Sequence, residues 1–308
     1  MGKERGPRHL RRLFDLKPEE AKGLLEKGLA IKKRIKSGLP HRPLLGKILA
    51  LLFEKPSTRT RVSFEAAMLK LGGDTLFLSA RDLQLARGEP LKDTARVLSG
   101  YVDGLVVRTF GQEVIEELAA YASVPVINGL SDRFHPCQVL SDLMTIMEIG
   151  RRLEDLKVAW VGDGNNMANS WIEAAALFGF ELRLACPEGY DPDEEVLSEA
   201  QKVARKPIVV VRDPVEAVKE AEVINTDVWA SMGQEAEAEK RRRVFQPYQV
   251  NRELLRHASP EAVVLHCLPA HRGEEITEEV LEGPQSLVWD QAENRMWLQA
   301  ALLEYLLA

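Results

Sequence analysis

Residues Ser57-Thr58-Arg59-Thr60-Arg61 put three hydroxyls and two guanidinium groups on one turn, directly after an apolar run and at the start of a helical pattern. A helix N-terminus carries unpaired N–H groups and the positive end of the macrodipole, so it attracts anions. Guanidinium meets phosphate oxygens two at a time and does not lose its charge. Two arginines beside that positive end are unfavourable unless an anion faces them. The segment therefore reads as a phosphate site rather than a capped helix with surface arginines. It is not a nucleotide loop, because the G-x-x-x-x-G-K-[ST] pattern is absent.

Five further segments carry candidate functional side chains. His135-Pro136-Cys137-Gln138 leads into a helix, with Pro136 suited to its first turn. The imidazole could polarise a carbonyl or carry a proton, although taken alone it reads first as a structural histidine. Gly162-Asp163-Gly164-Asn165-Asn166 looks like a dinucleotide loop, but Met167 stands where the third glycine belongs and Leu184-Ala185-Cys186 offers no acid for a ribose. A nicotinamide cofactor is thereby disfavoured, and Asn165 and Asn166 are left as neutral hydrogen-bonding groups. Asp227, followed by Ser231-Met232-Gly233, could hold an ammonium group or serve as a helix cap. In His266-Cys267-Leu268-Pro269 the cysteine is a reactive thiolate or a small buried residue, the second being favoured in isolation. Glu293-Asn294-Arg295 opens the last helix, where an arginine again suits an anionic ligand.

The elements that must position these groups alternate. Strands are expected at 47–53, 75–79, 104–108 and 125–128, with helices at 57–71, 91–99, 113–122 and 139–149. After Gly150 the alternation restarts, with strands at 157–161, 181–185, 208–211, 223–226 and 262–266. Helices between them fall at 169–178, 193–204 and 214–221, and a last helix at 294–306. This pattern predicts an α/β protein of two domains, each a parallel sheet flanked by helices. The first domain is expected at 1–149, with the helix 294–308 packing back on it, and the second at 150–293. The 308-residue length agrees. Ligands of such sheets lie beyond the carboxyl ends of the strands, where Ser57–Arg61, Arg108, Asn128, Asp163–Asn166, Asp227–Gly233 and His266–Pro269 fall, so a cleft between the domains is the expected site.

Composition narrows the function. Charged residues make up 29% and hydrophobic residues 45%, an ordinary globular balance, and no apolar run approaches the roughly 20 residues of a membrane span. The N-terminal segment is basic and lacks the apolar core of a signal peptide. The net charge of −6 argues against a nucleic-acid binder. Within 1–47 there are 14 basic and 5 acidic residues, and the segment reads as a solvated basic helix over Glu19–Ile35 with no aromatics interleaved to stack bases. Cys137, Cys186 and Cys267 form no disulfide framework, which suits the cytoplasm. The histidines lack metal-ligand spacing, and adjacent His266 and Cys267 suit a shared zinc poorly, so no metal is expected.

In combination the motifs resemble a known family. Ser57-Thr58-Arg59-Thr60-Arg61 with His135-Pro136-x-Gln138 is similar to the shared signature of the aspartate/ornithine carbamoyltransferases, and Asp227-x-x-x-Ser231-Met232-Gly233 with His266-Cys267-Leu268-Pro269 resembles their ornithine-using branch. The resemblance runs from the first helix to Asn294-Arg295. It implies transfer of the carbamoyl group of carbamoyl phosphate to the δ-amine of ornithine, giving citrulline and phosphate, without a cofactor. Ser57, Thr58, Arg59 and Thr60 would hold the phosphate, with Gln84 reaching it from a loop. Arg108, His135 and Gln138 would contact the carbonyl and amide end. Asn166, Asp227, Ser231 and Met232 would bind ornithine, and Cys267, Leu268 and Arg295 would complete the site. Arg59, Arg108, His135, Asp227 and Cys267 are the expected catalytic groups. The resemblance also implies a homo-oligomer, a trimer or a multiple of it. Rival amines are aspartate, putrescine and N-acylated ornithine. Aspartate fits least, because Asp227 would repel a second carboxylate. A non-catalytic binding protein is the rival of another class.

Overall fold

The computed structural model describes residues 6–79, 88–231 and 235–308. Two compact units separate, one comprising the described residues up to Leu140 together with Arg295–Ala308, the other Ser141–Asn294. Both chain crossings fall inside helices.

The first unit contains β1 (Ile48–Phe53), β2 (Asp74–Ser79), β3 (Gly104–Arg108) and β4 (Val126–Leu130), in sheet order β2-β1-β3-β4 with every pairing parallel. Its helices are α1 (Pro18–Lys36), α2 (Thr58–Lys70), α3 (Leu91–Ser99) and α4 (Gln112–Tyr121), and it takes the start of α5 (Pro136–Glu148). β1 and β3 are almost wholly apolar and buried along their length, as central parallel strands covered on both faces must be. One face packs Ala50, Leu52, Leu105 and Val107 against Ala95, Ile115 and Leu118 of α3 and α4.

The second unit contains β5 (Lys157–Val161), β6 (Glu181–Ala185), β7 (Ile208–Val211), β8 (Val223–Thr226) and β9 (Val263–His266), in order β7-β6-β5-β8-β9 and again all parallel. Its helices are α6 (Asn166–Phe178), α7 (Glu194–Val203), α8 (Pro214–Val218), α9 (Ala238–Phe245), α10 (Arg252–Leu255) and α11 (Glu278–Leu281), followed by the start of α12 (Val288–Leu307). The sequence reading placed no helix in the segments that form α9, α10 and α11. The last two are single turns, and α9 has no apolar stripe in its run Lys240-Arg241-Arg242-Arg243. Among the described residues no helix is long and apolar enough to cross a membrane.

Each sheet has one switch point. The chain leaves β1 for β2 on one side and returns to β3 on the other; it leaves β5 for β6 and β7, then returns to β8. In open parallel sheets ligands bind outside the carboxyl ends of the two strands flanking such a switch. Those ends are Phe53 beside Arg108 in one unit, and the segments after Val161 and after Thr226 in the other.

Candidate active site: two half-sites at the switch points

In the first unit, Ser57 is the N-cap of α2: its hydroxyl accepts from the Thr60 amide at 3.2 Å. The cap is thus formed, and it leaves the other side chains of the turn available to an anion. Arg61 departs from the motif reading. It pairs with Glu65 at 3.0 Å and lies over the Phe77 ring at 3.7 Å, so α2 turns it to the sheet edge. Arg59 stays half-buried, Thr58 is exposed and Thr60 is fully buried. Thr60 Oγ1 accepts from Arg295 Nη2 at 2.8 Å; the last helix begins at Val288, so Arg295 lies inside α12 rather than opening it as the sequence reading had it. Arg108, at the end of β3, is buried, as are His135 and Gln138 at the start of α5.

These groups converge on one imidazole. Burial pushes the His135 pKa well below its usual value, and the guanidinium groups of Arg295, Arg108 and Arg59 push it further in that order. His135 is therefore neutral at physiological pH and offers an N–H without a competing charge. Three guanidinium groups around a neutral ring form a strongly electropositive cradle, for which a phosphoryl dianion supplies the matching counter-charge. Neighbouring Cys137 is structural: burial raises its thiol to about 12, and its Sγ–H points to the Asn128 carbonyl at 3.5 Å.

A stability prediction follows from His135. The unfolded chain binds a proton at His135 below pH about 6.5 and the folded chain does not, so stability falls as pH drops through that value. Denaturant titrations at pH 8 and pH 5 should show this loss in the wild type and a smaller one in His135→Asn. Equal slopes in both proteins would refute it.

In the second unit the loop after β5 needs its glycines for backbone reasons. Gly162 has φ +140, and a side chain on Gly164 would lie 2.2 Å from the backbone of Asp191 and Pro192. This close approach accounts for the dinucleotide-like spacing without a nucleotide. Asn165 caps α6, its Oδ1 accepting from the Met167 and Ala168 amides, while its Nδ2 donates to Asp227 Oδ2 at 2.9 Å. Asn166 is the half-buried first residue of α6.

Asp227, just past β8, caps no helix. Its Oδ1 accepts from the Val228 amide and from the Cys267 thiol at 3.0 Å. Cys267 is half-buried rather than a core residue, so its sulfur and the Asp227 carboxylate present one polar surface. Ser231 is half-buried. Leu268 has φ +59, a costly conformation for a branched side chain, and its amide donates to His266 Nδ1 at 2.9 Å. That bond makes Nδ1 the acceptor, so Nε2 carries the proton and donates to Glu275 Oε1 at 3.0 Å. The His266 amide in turn donates to Gln291 Oε1, and Gln291 Nε2 to Asp142 Oδ1.

Two of the expected site residues, Gln84 and Met232, lie outside the described residues. The others fall into the two half-sites: Ser57, Thr58, Arg59, Thr60, Arg108, His135, Gln138 and Arg295 in one unit, and Asn166, Asp227, Ser231, Cys267 and Leu268 in the other. Sequence reasoning missed Glu275 and Gln291, which hold His266, and the buried pair Asp163–Arg241. Glu275 sits beside another glutamate, Glu274, and Arg241 within a basic run, so residue type gave no signal. Among the described residues, two trios of potential ligand atoms lie within 4.8 Å of one another, Asp227 with His266 and Cys267, and His271 with Glu274 and Glu275. In the first, both ring nitrogens of His266 are already engaged. In the second, Glu274 is paired with Arg242, and Glu275 accepts from the His271 amide.

The first unit thus carries an electropositive cradle suited to an anion, and the second a carboxylate held by Asn165, the Val228 amide and Cys267. Comparison with known proteins specifies the class. The carbamoyl-phosphate-binding domain of aspartate/ornithine carbamoyltransferase matches residues 8–148, and the aspartate/ornithine-binding domain of the same enzymes matches 154–306. An ornithine carbamoyltransferase of Desulfotalea psychrophila is 61% identical over 97% of this chain and 98% of its own. The solved ornithine carbamoyltransferase of Pyrococcus furiosus superposes with a TM-score of 0.95 at 53% identity, covering 98% of this chain and 97% of its own. The anabolic enzyme of Campylobacter jejuni gives 0.92 at 42%, covering 97% and 98%. The chain belongs to the aspartate/ornithine carbamoyltransferase family.

Proposed function

We propose that this chain transfers the carbamoyl group of carbamoyl phosphate to the δ-amine of L-ornithine, yielding L-citrulline and phosphate. The observation that carries the choice of amine is Asp227, whose carboxylate is oriented by Asn165 and faces the Cys267 thiol. A carboxylate there attracts an ammonium-bearing chain and repels the second carboxylate of aspartate. The relatives above bear the same activity in their names, and two of them, from Pyrococcus furiosus and Campylobacter jejuni, are called anabolic. This supports the direction toward citrulline, as a step of arginine biosynthesis.

The neutral amine nitrogen attacks the carbonyl carbon, a tetrahedral intermediate forms, and its C–O bond to phosphorus breaks. Phosphate leaves, and the proton lost by the amine goes to it. Ser57, Thr58, Arg59 and Thr60 hold the phosphate, with Gln84 as a further contact. Arg108, neutral His135 and Gln138 face the carbonyl and amide, where Arg59, Arg108 and His135 stabilise the developing oxyanion. Arg295 braces the phosphate turn through Thr60. Asp227 and Cys267 orient the amine, while Asn166, Ser231, Met232 and Leu268 hold the rest of ornithine. No step requires a cofactor or a metal. Fixing both reactants removes much of their association entropy from the chemical step.

Assembly as a trimer or a multiple of it belongs to the same proposal. Leu45, Leu69 and Tyr101 of the first unit are among its exposed apolar side chains, as a chain with a partner would have. Sedimentation equilibrium measures this directly. A cytoplasmic location is supported by three cysteines that remain free thiols.

The decisive assay supplies carbamoyl phosphate with ornithine, aspartate, putrescine or N-acetylornithine, each separately. Citrulline from ornithine alone is the expected outcome. Turnover only with another amine would overturn the Asp227 argument and leave the phosphate half standing. Binding of carbamoyl phosphate without turnover would favour the non-catalytic reading.

A further inference from the structure

Arg241 lies on α9, outside every residue so far given a role, and is 6% exposed. Its Nη1 donates to Asp163 Oδ2 at 3.0 Å and to the Trp229 carbonyl at 2.8 Å. The guanidinium lies over the Tyr190 ring at 4.8 Å and near Phe245 at 5.9 Å, and Phe245 in turn stacks on Trp229 at 6.0 Å. Asp163 is equally buried, and its own carbonyl accepts from Trp160 Nε1. A buried ion pair is seldom retained for stability alone, since desolvating both ions offsets most of their attraction.

The partners of this pair explain its place. Asp163 is two residues before Asn165, which donates to Asp227. Asp227 is two residues before Trp229, whose carbonyl returns to Arg241. Covalent bonds and hydrogen bonds thus close a ring through Arg241, Asp163, Asn165, Asp227 and Trp229. Four members belong to the two loops at the switch point, and only Arg241 comes from outside.

We propose that Arg241 is a positioning residue for ornithine, clamping the loop after β5 to the segment after β8 so that Asp227 keeps its orientation. The inference rests on the ornithine reading of that half-site. A planar fork stacked on an aromatic ring can bridge a carboxylate and a carbonyl at fixed spacing, which a flexible ammonium cannot reproduce. Displacing a binding group by about an ångström costs up to about 100-fold, so the clamp governs ornithine more than the donor.

The test measures steady-state kinetics on the full-length enzyme for Arg241→Met, Arg241→Lys and Asp163→Asn. Arg241→Met should raise the ornithine KM by about 10-fold to 100-fold with the carbamoyl phosphate KM within twofold of wild type. Arg241→Lys should fall between, because the charge remains and the fork does not. A pH series adds a readout that a merely structural residue would not move. Burial raises the Asp163 carboxyl to about 6 despite Arg241, with Asp227 and the Cys186 thiol as the other titratable groups facing it. The wild-type ornithine KM should therefore bend upward below that pH and the Asp163→Asn KM should not. An unchanged ornithine KM in Arg241→Met overturns the proposal. So do equal shifts for both substrates, or failure of all three variants to fold. A wild-type enzyme that makes no citrulline at all would instead remove the ornithine reading itself.

Discussion

Arg59→Ala should lower citrulline formation by about 10²–10³-fold while the protein remains folded. The side chain lies on the first turn of α2 and is only half-buried, so its truncation opens no cavity in the core. What it removes is one of the three guanidinium groups that act on His135. Charge develops on the carbonyl oxygen and on the departing phosphate in the transition state, and a preorganised donor aimed at that charge contributes more there than in the ground state. The loss should therefore appear in kcat as well as in the carbamoyl phosphate KM. Arg59→Lys should recover part of it, since an ammonium restores the charge and not the two-pronged contact. Circular dichroism and denaturant midpoints establish that the fold is kept. Turnover within a few-fold of wild type would sink the assignment of this turn to phosphate.

Asp227→Asn should cost about 10²–10³-fold in kcat/KM for ornithine and leave the carbamoyl phosphate KM near wild type. The substitution preserves size, so packing is not the issue. Both carboxylate oxygens are acceptors, Oδ1 for the Val228 amide and the Cys267 thiol, Oδ2 for Asn165. An amide has one acceptor, so in either orientation its NH₂ meets a donor, at about 1–3 kcal/mol. Loss of the negative charge adds to this by removing the attraction for the incoming amine. Saturation curves with each substrate varied in turn separate the two effects. A uniform change in both KM values would show that Asp227 is structural.

The two predictions differ in what made them accessible. Ser57-Thr58-Arg59-Thr60-Arg61 announces itself, because a helix start is written locally in a cap, a dipole and the side chains of one turn. The α/β alternation is equally local, since strand and helix periods are properties of short windows. From alternation alone it follows that the strands are parallel, and hence that Arg108, Asp163–Asn166, Asp227 and Cys267 stand at carboxyl ends. The tertiary structure shows those strands pairing in parallel throughout.

Other assignments had no local signature. Arg59 and Arg61 are equivalent in type and two residues apart, yet one sits beside His135 and the other pairs with Glu65 over Phe77. Lys240, Arg241, Arg242 and Arg243 form a uniform basic run, and only Arg241 is buried. Glu275 rather than Glu274 holds His266. Gly164 looks like a phosphate glycine and is required by the backbone of Asp191 and Pro192.

The alternating elements, the Ser57 cap and the chemistry available at each strand end are written locally, because these depend on neighbours within a few residues. Tertiary structure alone decided the strand order, the switch points and which member of each like-charged cluster is buried. The cost of burying a charge is set by partners that the chain brings in from far away, as Asp163 is brought to Arg241 across 78 positions.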